Sequence, residues 1–114
     1  MSWYVLVEMT VTASGDDRWE LVDKVSVEGG REAALAKAEE MSRTYVRGAQ
    51  PEECGRLVFR TSPTTWIVEQ SRSFWGDGRE HTNTRHLHIR VAELEYVKET
   101  PPAERPGKGW LRRR

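Results

Sequence analysis

Apolar and polar residues alternate in the first part of the chain, and this period of two predicts a pair of β-strands. The first segment, WYVLVEMTVT, places Trp3, Val5 and Val7 on one face. The second segment, RWELVDKVSVE, repeats the alternation through Trp19, Leu21, Val25 and Val27. The SGDD sequence between them is typical of a turn, because Gly15 accepts positive φ and aspartates bond to nearby backbone. The two segments therefore predict a β-hairpin.

The period then changes to that of a helix. After Gly29 and Gly30 comes REAALAKAEEMSRTYVR, in which the apolar residues recur at helical spacing with charge on the opposite side. The apolar stripe has small residues at its centre, namely Ala34, Ala38 and Ser42. A helix with such a stripe can lie close to a sheet whose large side chains, including Trp3 and Trp19, fill the space.

Three more strands are predicted after the helix. RLVFRT is short, TWIVEQSRSFW is longer, and RHLHIRVAELEYV is the last. Leu87, Ile89 and Val91 share one face of this last strand, but Leu94 and Tyr96 fall out of phase. One β-bulge near Ala92 and Glu93 would return all of them to the core side.

The order β-β-α-β-β-β predicts an α+β domain in which a single helix packs on a mostly antiparallel sheet of about five strands. We place this domain at residues 1–98. Residues 99–114 are rich in proline, glycine and basic residues, and they predict an extended C-terminal tail. The periodicity leaves the order of the strands in the sheet open.

Charge is distributed unevenly although the formal net charge is zero. From Lys98 onward there are six basic and two acidic residues, so the tail is basic and the body is mildly acidic. Arginine outnumbers lysine by 14 to 4, which indicates a high-GC bacterial genome. The N-terminus lacks the basic segment of a signal peptide, no stretch is apolar over about 20 residues, and Cys54 has no partner cysteine. These features predict a cytoplasmic protein with no membrane association.

Three histidines raise the question of a metal site. His86 and His88 share one face of the last predicted strand, and His81 precedes them in a loop. Arg90 follows on the same face and would repel a cation, and the spacing matches no common zinc pattern. The sequence therefore favours a solvated strand face, with a metal site as the alternative, and we predict no metal or cofactor.

Catalytic and nucleic-acid signatures are weak. The sequence contains no nucleophile elbow, phosphate loop or paired-cysteine motif, so we predict no catalytic residue. Arginines alternate with aromatic residues in the last three strands, as single-stranded nucleic-acid binders do, but the acidic body disfavours that function. The residues concerned are Arg56, Arg60, Arg72, Arg85 and Arg90 with Phe59, Trp66, Phe74 and Trp75.

Interaction with a protein has more support. One helix can cover only one side of the sheet, yet several apolar residues alternate out of phase with the core set: Tyr4, Leu6, Val22, Ile67 and Trp75. An exposed patch of this composition marks a protein interface unless the tail covers it. The tail itself offers Trp110 and Leu111 as anchors beside Arg112, Arg113 and Arg114.

We therefore expect a small non-enzymatic binding or adaptor module. It would self-associate through the uncovered sheet face, while the basic tail docks on a protein partner. The first alternative is a small-molecule-binding protein or enzyme with a pocket between helix and sheet, near Trp66, Trp75 and the histidines. The second alternative is single-stranded nucleic-acid binding.

Overall fold

The computed structural model describes residues 2–13, 15–47 and 55–105. Five strands and one helix follow one another along the chain: β1 (Trp3–Ala13), β2 (Asp16–Val27), α1 (Gly30–Thr44), β3 (Gly55–Ser62), β4 (Thr65–Gly76) and β5 (Arg79–Glu93). The order of elements is the one that the periodicity predicts.

All five strands form one antiparallel sheet with the order β2-β1-β5-β4-β3. Two hairpin units, β1–β2 and β3–β4–β5, join through the pairing of β1 with β5. The predicted α+β class, with one helix on a sheet of five strands, is confirmed. No helix in the described ranges has the length and apolar character needed to cross a membrane.

Helix α1 lies across one face of the sheet and contacts all five strands. Its small residues make this close approach possible: Ala34, Ala38 and Ser42 are completely buried. Larger side chains of the central strands fill the core beneath them, including Val7, Leu87 and Trp66. A sheet covered on one side by small helical residues can keep native packing density only if the strands supply the volume. Trp66 does so, and it is 3% exposed.

A register shift in β2 changes which residues face the helix. Val7 pairs with Asp23 and Glu8 pairs with Leu21, so Val22 is an extra residue in β2. This β-bulge reverses the alternation of the strand. Val25 stays on the helix side, whereas Trp19 and Leu21 turn to the opposite face. The expectation that Trp19 fills the core beneath the helix is therefore wrong.

The prediction of a β-bulge near Ala92 and Glu93 in the last strand is also wrong. β5 pairs with β1 without interruption up to Glu93, where the strand ends. Beyond the strand, the Leu94 amide donates one more backbone hydrogen bond, 2.8 Å long, to the Ser2 carbonyl oxygen. Tyr96 then lies 78% exposed. Because the strand stops, no bulge is needed to restore its phase.

Residues 94–105 contain no helix or strand and are exposed from Glu95 onward. The expected domain boundary near residue 98 stays a prediction. Residues 106–114, which include Trp110, Leu111 and Arg112 to Arg114, lie outside the described residues.

Candidate interaction surface

The sheet face opposite α1 is the candidate surface, and we call it the open face. Among the described residues no helix or strand lies against it. The strand register aligns its side chains in rows that cross all five strands. One row runs Leu21, Glu8, His88, Ile67, Phe59. The next runs Trp19, Thr10, His86, Glu69, Leu57, with the Thr10 hydroxyl hydrogen-bonded to the His86 amide.

The centre of the open face carries polar side chains that contact one another across the strands. Arg90 Nη2 lies 3.0 Å from Glu8 Oε1, and His88 Nδ1 lies 3.4 Å from the same oxygen. His86 Nε2 lies 3.6 Å from Glu69 Oε1. The imidazoles complete ion pairs only when protonated. A partly exposed ion pair such as Arg90–Glu8 contributes up to about 1 kcal/mol.

Apart from Trp75, which is 75% exposed near the end of β4, the large exposed apolar groups of the open face lie on the two outer strands. On β2, Trp19 is 46% and Leu21 50% exposed, and we call this pair the β2 margin. On β3, Leu57 is 54% and Phe59 53% exposed, and these form the β3 margin. A protein interface usually has an apolar core and a polar rim. On the open face this arrangement is reversed, with polar groups at the centre and the margins at the two edges of the sheet. A partner would therefore bury most apolar surface at these edges.

The predicted contact residues divide between three places. Tyr4, Leu6 and Ile67 lie on the open face, in register with Ala92, Arg90 and His88 respectively, and each is partly buried by its neighbours. Val22, the bulge residue, packs against the core and does not belong to the open face. Trp75 is 75% exposed, near the end of the β4–β5 hairpin. Whether any of these residues binds a partner stays a prediction.

The histidines do not converge on one point. His86 and His88 each face a carboxylate of a neighbouring strand. His81, expected in a loop, lies in β5 instead, because the strand begins at Arg79. It stacks on Phe74 with ring centroids 5.3 Å apart, and its Nε2 lies 2.9 Å from the Gly76 carbonyl oxygen. Within residues 2–13, 15–47 and 55–105, no group of three or more histidine, cysteine, aspartate or glutamate side chains is placed to hold a metal ion.

The residues expected around a pocket are also separated. Trp66 is buried beneath the helix, whereas Trp75 lies exposed nine positions further along β4. A shallow concavity at the β3–β4 turn is lined by Arg60, Thr61, Ser62 and Pro63. It contains no carboxylate or histidine to act as an acid or base.

The arginines and aromatic residues considered for nucleic-acid binding fall on both faces. Phe59 and Arg90 belong to the open face. On the helix side, the Arg60 guanidinium lies 5.0 Å from the Trp66 ring centre. Arg56 donates to the carbonyl oxygens of Ser42 and Tyr45 at the helix end. This division leaves no single stacking platform built from the whole set.

A polar network closes the end of α1 beside β2. The Tyr45 hydroxyl donates to Asp23 Oδ2 at 3.1 Å, and buried Gln70 donates to the Tyr45 carbonyl oxygen. Burial, together with the hydrogen bond to the Asp23 carboxylate and its negative charge, raises the pKa of Tyr45 to about 12. The network joins the helix to β2 one residue after the Val22 bulge.

Sequence reasoning missed the β2 and β3 margins. The segment RLVFRT holds three consecutive apolar residues between arginines, a pattern that fits an outer strand with charged ends. Trp19 and Leu21 carried no such signal, because only the register shift turns them outward.

A scan against protein-family models, a search of curated proteins and a search of solved structures each found no match to this chain. Function is therefore inferred from the geometry of the open face and its margins.

Proposed function

We propose that this protein is a non-enzymatic binding module that self-associates through the margins of its sheet. The observation that carries the proposal is the pair of apolar margins, Trp19 with Leu21 and Leu57 with Phe59, at opposite edges of the sheet. These four large apolar side chains are each about half exposed. Their apolar surface stays in contact with water, which is unfavourable, unless another surface covers it.

A second copy of the chain fits these margins by charge. β2 contains four carboxylates and two basic residues, whereas β3 contains two arginines and no carboxylate. One molecule therefore carries an acidic apolar edge and a basic apolar edge, which complement each other. Opposite charges across a contact favour encounter and orientation, and the apolar groups supply affinity.

The tail contributes a separate part of the proposed function. Trp110 and Leu111, with Arg112 to Arg114, would let a self-associated particle dock on an acidic protein partner. Several tails on one particle would raise the apparent affinity for a multivalent partner.

The test measures molar mass as a function of concentration for the full chain. Sedimentation equilibrium should show mass rising with concentration for the unmodified protein. The double variant Trp19→Lys/Leu57→Lys removes one apolar group from each margin and should weaken association at least tenfold, or by about 1.4 kcal/mol. Both positions are about half exposed, so the fold should persist.

Trp75→Lys is the matched control, because Trp75 is an exposed tryptophan outside both margins. It should associate like the unmodified chain. A protein that stays monomeric up to about 1 mM would contradict self-association. Loss of association in Trp75→Lys alone would move the contact to the β4–β5 hairpin and away from the margins.

A further inference from the structure

The two outer strands each have a neighbouring strand on one side only among the described residues. Within the described residues no strand pairs with their outward backbone amides and carbonyls, and such an edge can accept a strand from another chain. β2 is 12 residues long and β3 is eight, so both offer an extended row of backbone groups.

The bulge at Val22 divides β2 into two regular segments, each of which could pair with a strand of another copy. Val22 interrupts the strand, and the segment before it, Asp16–Leu21, contains the β2 margin and three of the four carboxylates. Arg18 pairs with one of them, Glu20, at 3.2 Å. Asp16 and Asp17 leave this segment with a net negative charge.

The β3 edge has the opposite sign. Arg60 donates to the carbonyl oxygens of Ser62 and Pro63, which are neutral, so these bonds orient the guanidinium without cancelling its charge. Leu57, Val58 and Phe59 form the apolar stretch between Arg56 and Arg60, with Val58 36% exposed on the helix side.

We infer that copies of the chain associate head to tail, with the Asp16–Leu21 segment of one copy beside β3 of the next. The inference rests on the proposed function and specifies its contact. Pairing two β3 edges would bring two Arg60 guanidinium groups into one contact, and pairing two β2 edges would bring the carboxylates together. Like charges on opposed strands destabilise a pairing and opposite charges stabilise it. The unlike edges are therefore the favoured pair.

A head-to-tail contact joins two different surfaces, so it does not close on itself. Each added copy leaves one free β2 edge and one free β3 edge at the ends of the assembly. The particle should grow beyond a dimer as concentration rises. A contact between two open faces would instead stop at a dimer.

Complementation of two blocked variants tests the pairing. Trp19→Lys/Leu21→Lys blocks the β2 edge, and Leu57→Asp/Phe59→Asp blocks the β3 edge. Each variant alone should be monomeric. An equimolar mixture should form a one-to-one dimer and nothing larger, because one intact β2 edge and one intact β3 edge remain. Its dissociation constant should match the first association step of the unmodified chain within about threefold.

Far-UV circular dichroism and thermal unfolding of each variant confirm that the fold is retained. Leu6→Lys serves as a control for face-to-face packing, since Leu6 lies on the open face and belongs to neither outer strand; head-to-tail growth should persist in it. An unmodified chain that stops at a dimer, or one blocked variant that still dimerises alone, would overturn the head-to-tail contact and leave self-association standing. An unmodified chain that never associates would overturn both.

Discussion

At the scale of single residues, Tyr45 shows how one side chain links the end of the helix to β2. Its hydroxyl bonds to Asp23, and its pKa is raised to about 12 by burial and by the neighbouring carboxylate. In the unfolded chain a tyrosine ionises near pH 10. The folded protein thus favours the neutral phenol. This contribution to stability is complete below pH 10 and is lost as the pH rises towards about 12.

Replacing Tyr45 with Phe should change the alkaline pH dependence of stability. The variant loses one hydrogen bond, which at neutral pH costs about 0.5–1.5 kcal/mol in the free energy of unfolding. It also lacks the ionising group, so its stability should fall less than that of the unmodified chain between pH 10 and about 12. Urea unfolding across this range measures both effects. Tyr96→Phe, at an exposed position, should leave the profile unchanged; an identical alkaline slope in Tyr45→Phe would contradict the assignment.

At the scale of elements, local periodicity predicted the number and order of the strands and the helix, because the period of side-chain burial is a local property. It did not predict the first part of β5, since residues 79–84 are polar and were expected to form a loop. The faces were harder to predict. A bulge of one residue at Val22 turns Trp19 and Leu21 from the core to the open face, and that shift depends on pairing with β1. The exposed β3 margin depends on strand order, which joins hairpins distant in sequence. Tyr4, Leu6 and Ile67 were placed together correctly because no register shift lies between them and the core.

The helix provides the sharpest test of packing at this scale. Ala38 is completely buried against the sheet, so Ala38→Leu would add volume where there is no space. Overpacking of this kind costs about 1–3 kcal/mol in the free energy of unfolding. Ala36→Leu makes the same change on the exposed side of α1 and should cost nothing measurable. Chemical denaturation of the two variants compares them directly, and equal stabilities would mean that the helix does not lie as close to the sheet as described.

At the scale of the whole molecule, the two apolar margins and the charges of the outer strands lie along the same axis, from the acidic β2 edge to the basic β3 edge. At the centre of the open face Arg90 already pairs with Glu8 of the same molecule, so this pair adds little drive for association. Association should therefore depend on charge at the edges.

The salt dependence of association distinguishes a contact between a β2 edge and a β3 edge from a contact between two identical edges. Raising NaCl from about 0.05 to about 0.5 M shortens the Debye length from above 10 Å to below it. Attraction between a β2 edge and a β3 edge would then be screened, and the apparent dissociation constant should rise several-fold. Two like edges would repel less at high salt, so their association should strengthen. Sedimentation at both salt concentrations separates the two cases. Asp16→Asn/Asp17→Asn should reduce the salt dependence of the head-to-tail contact, because it removes the two carboxylates that give the Asp16–Leu21 segment its negative charge.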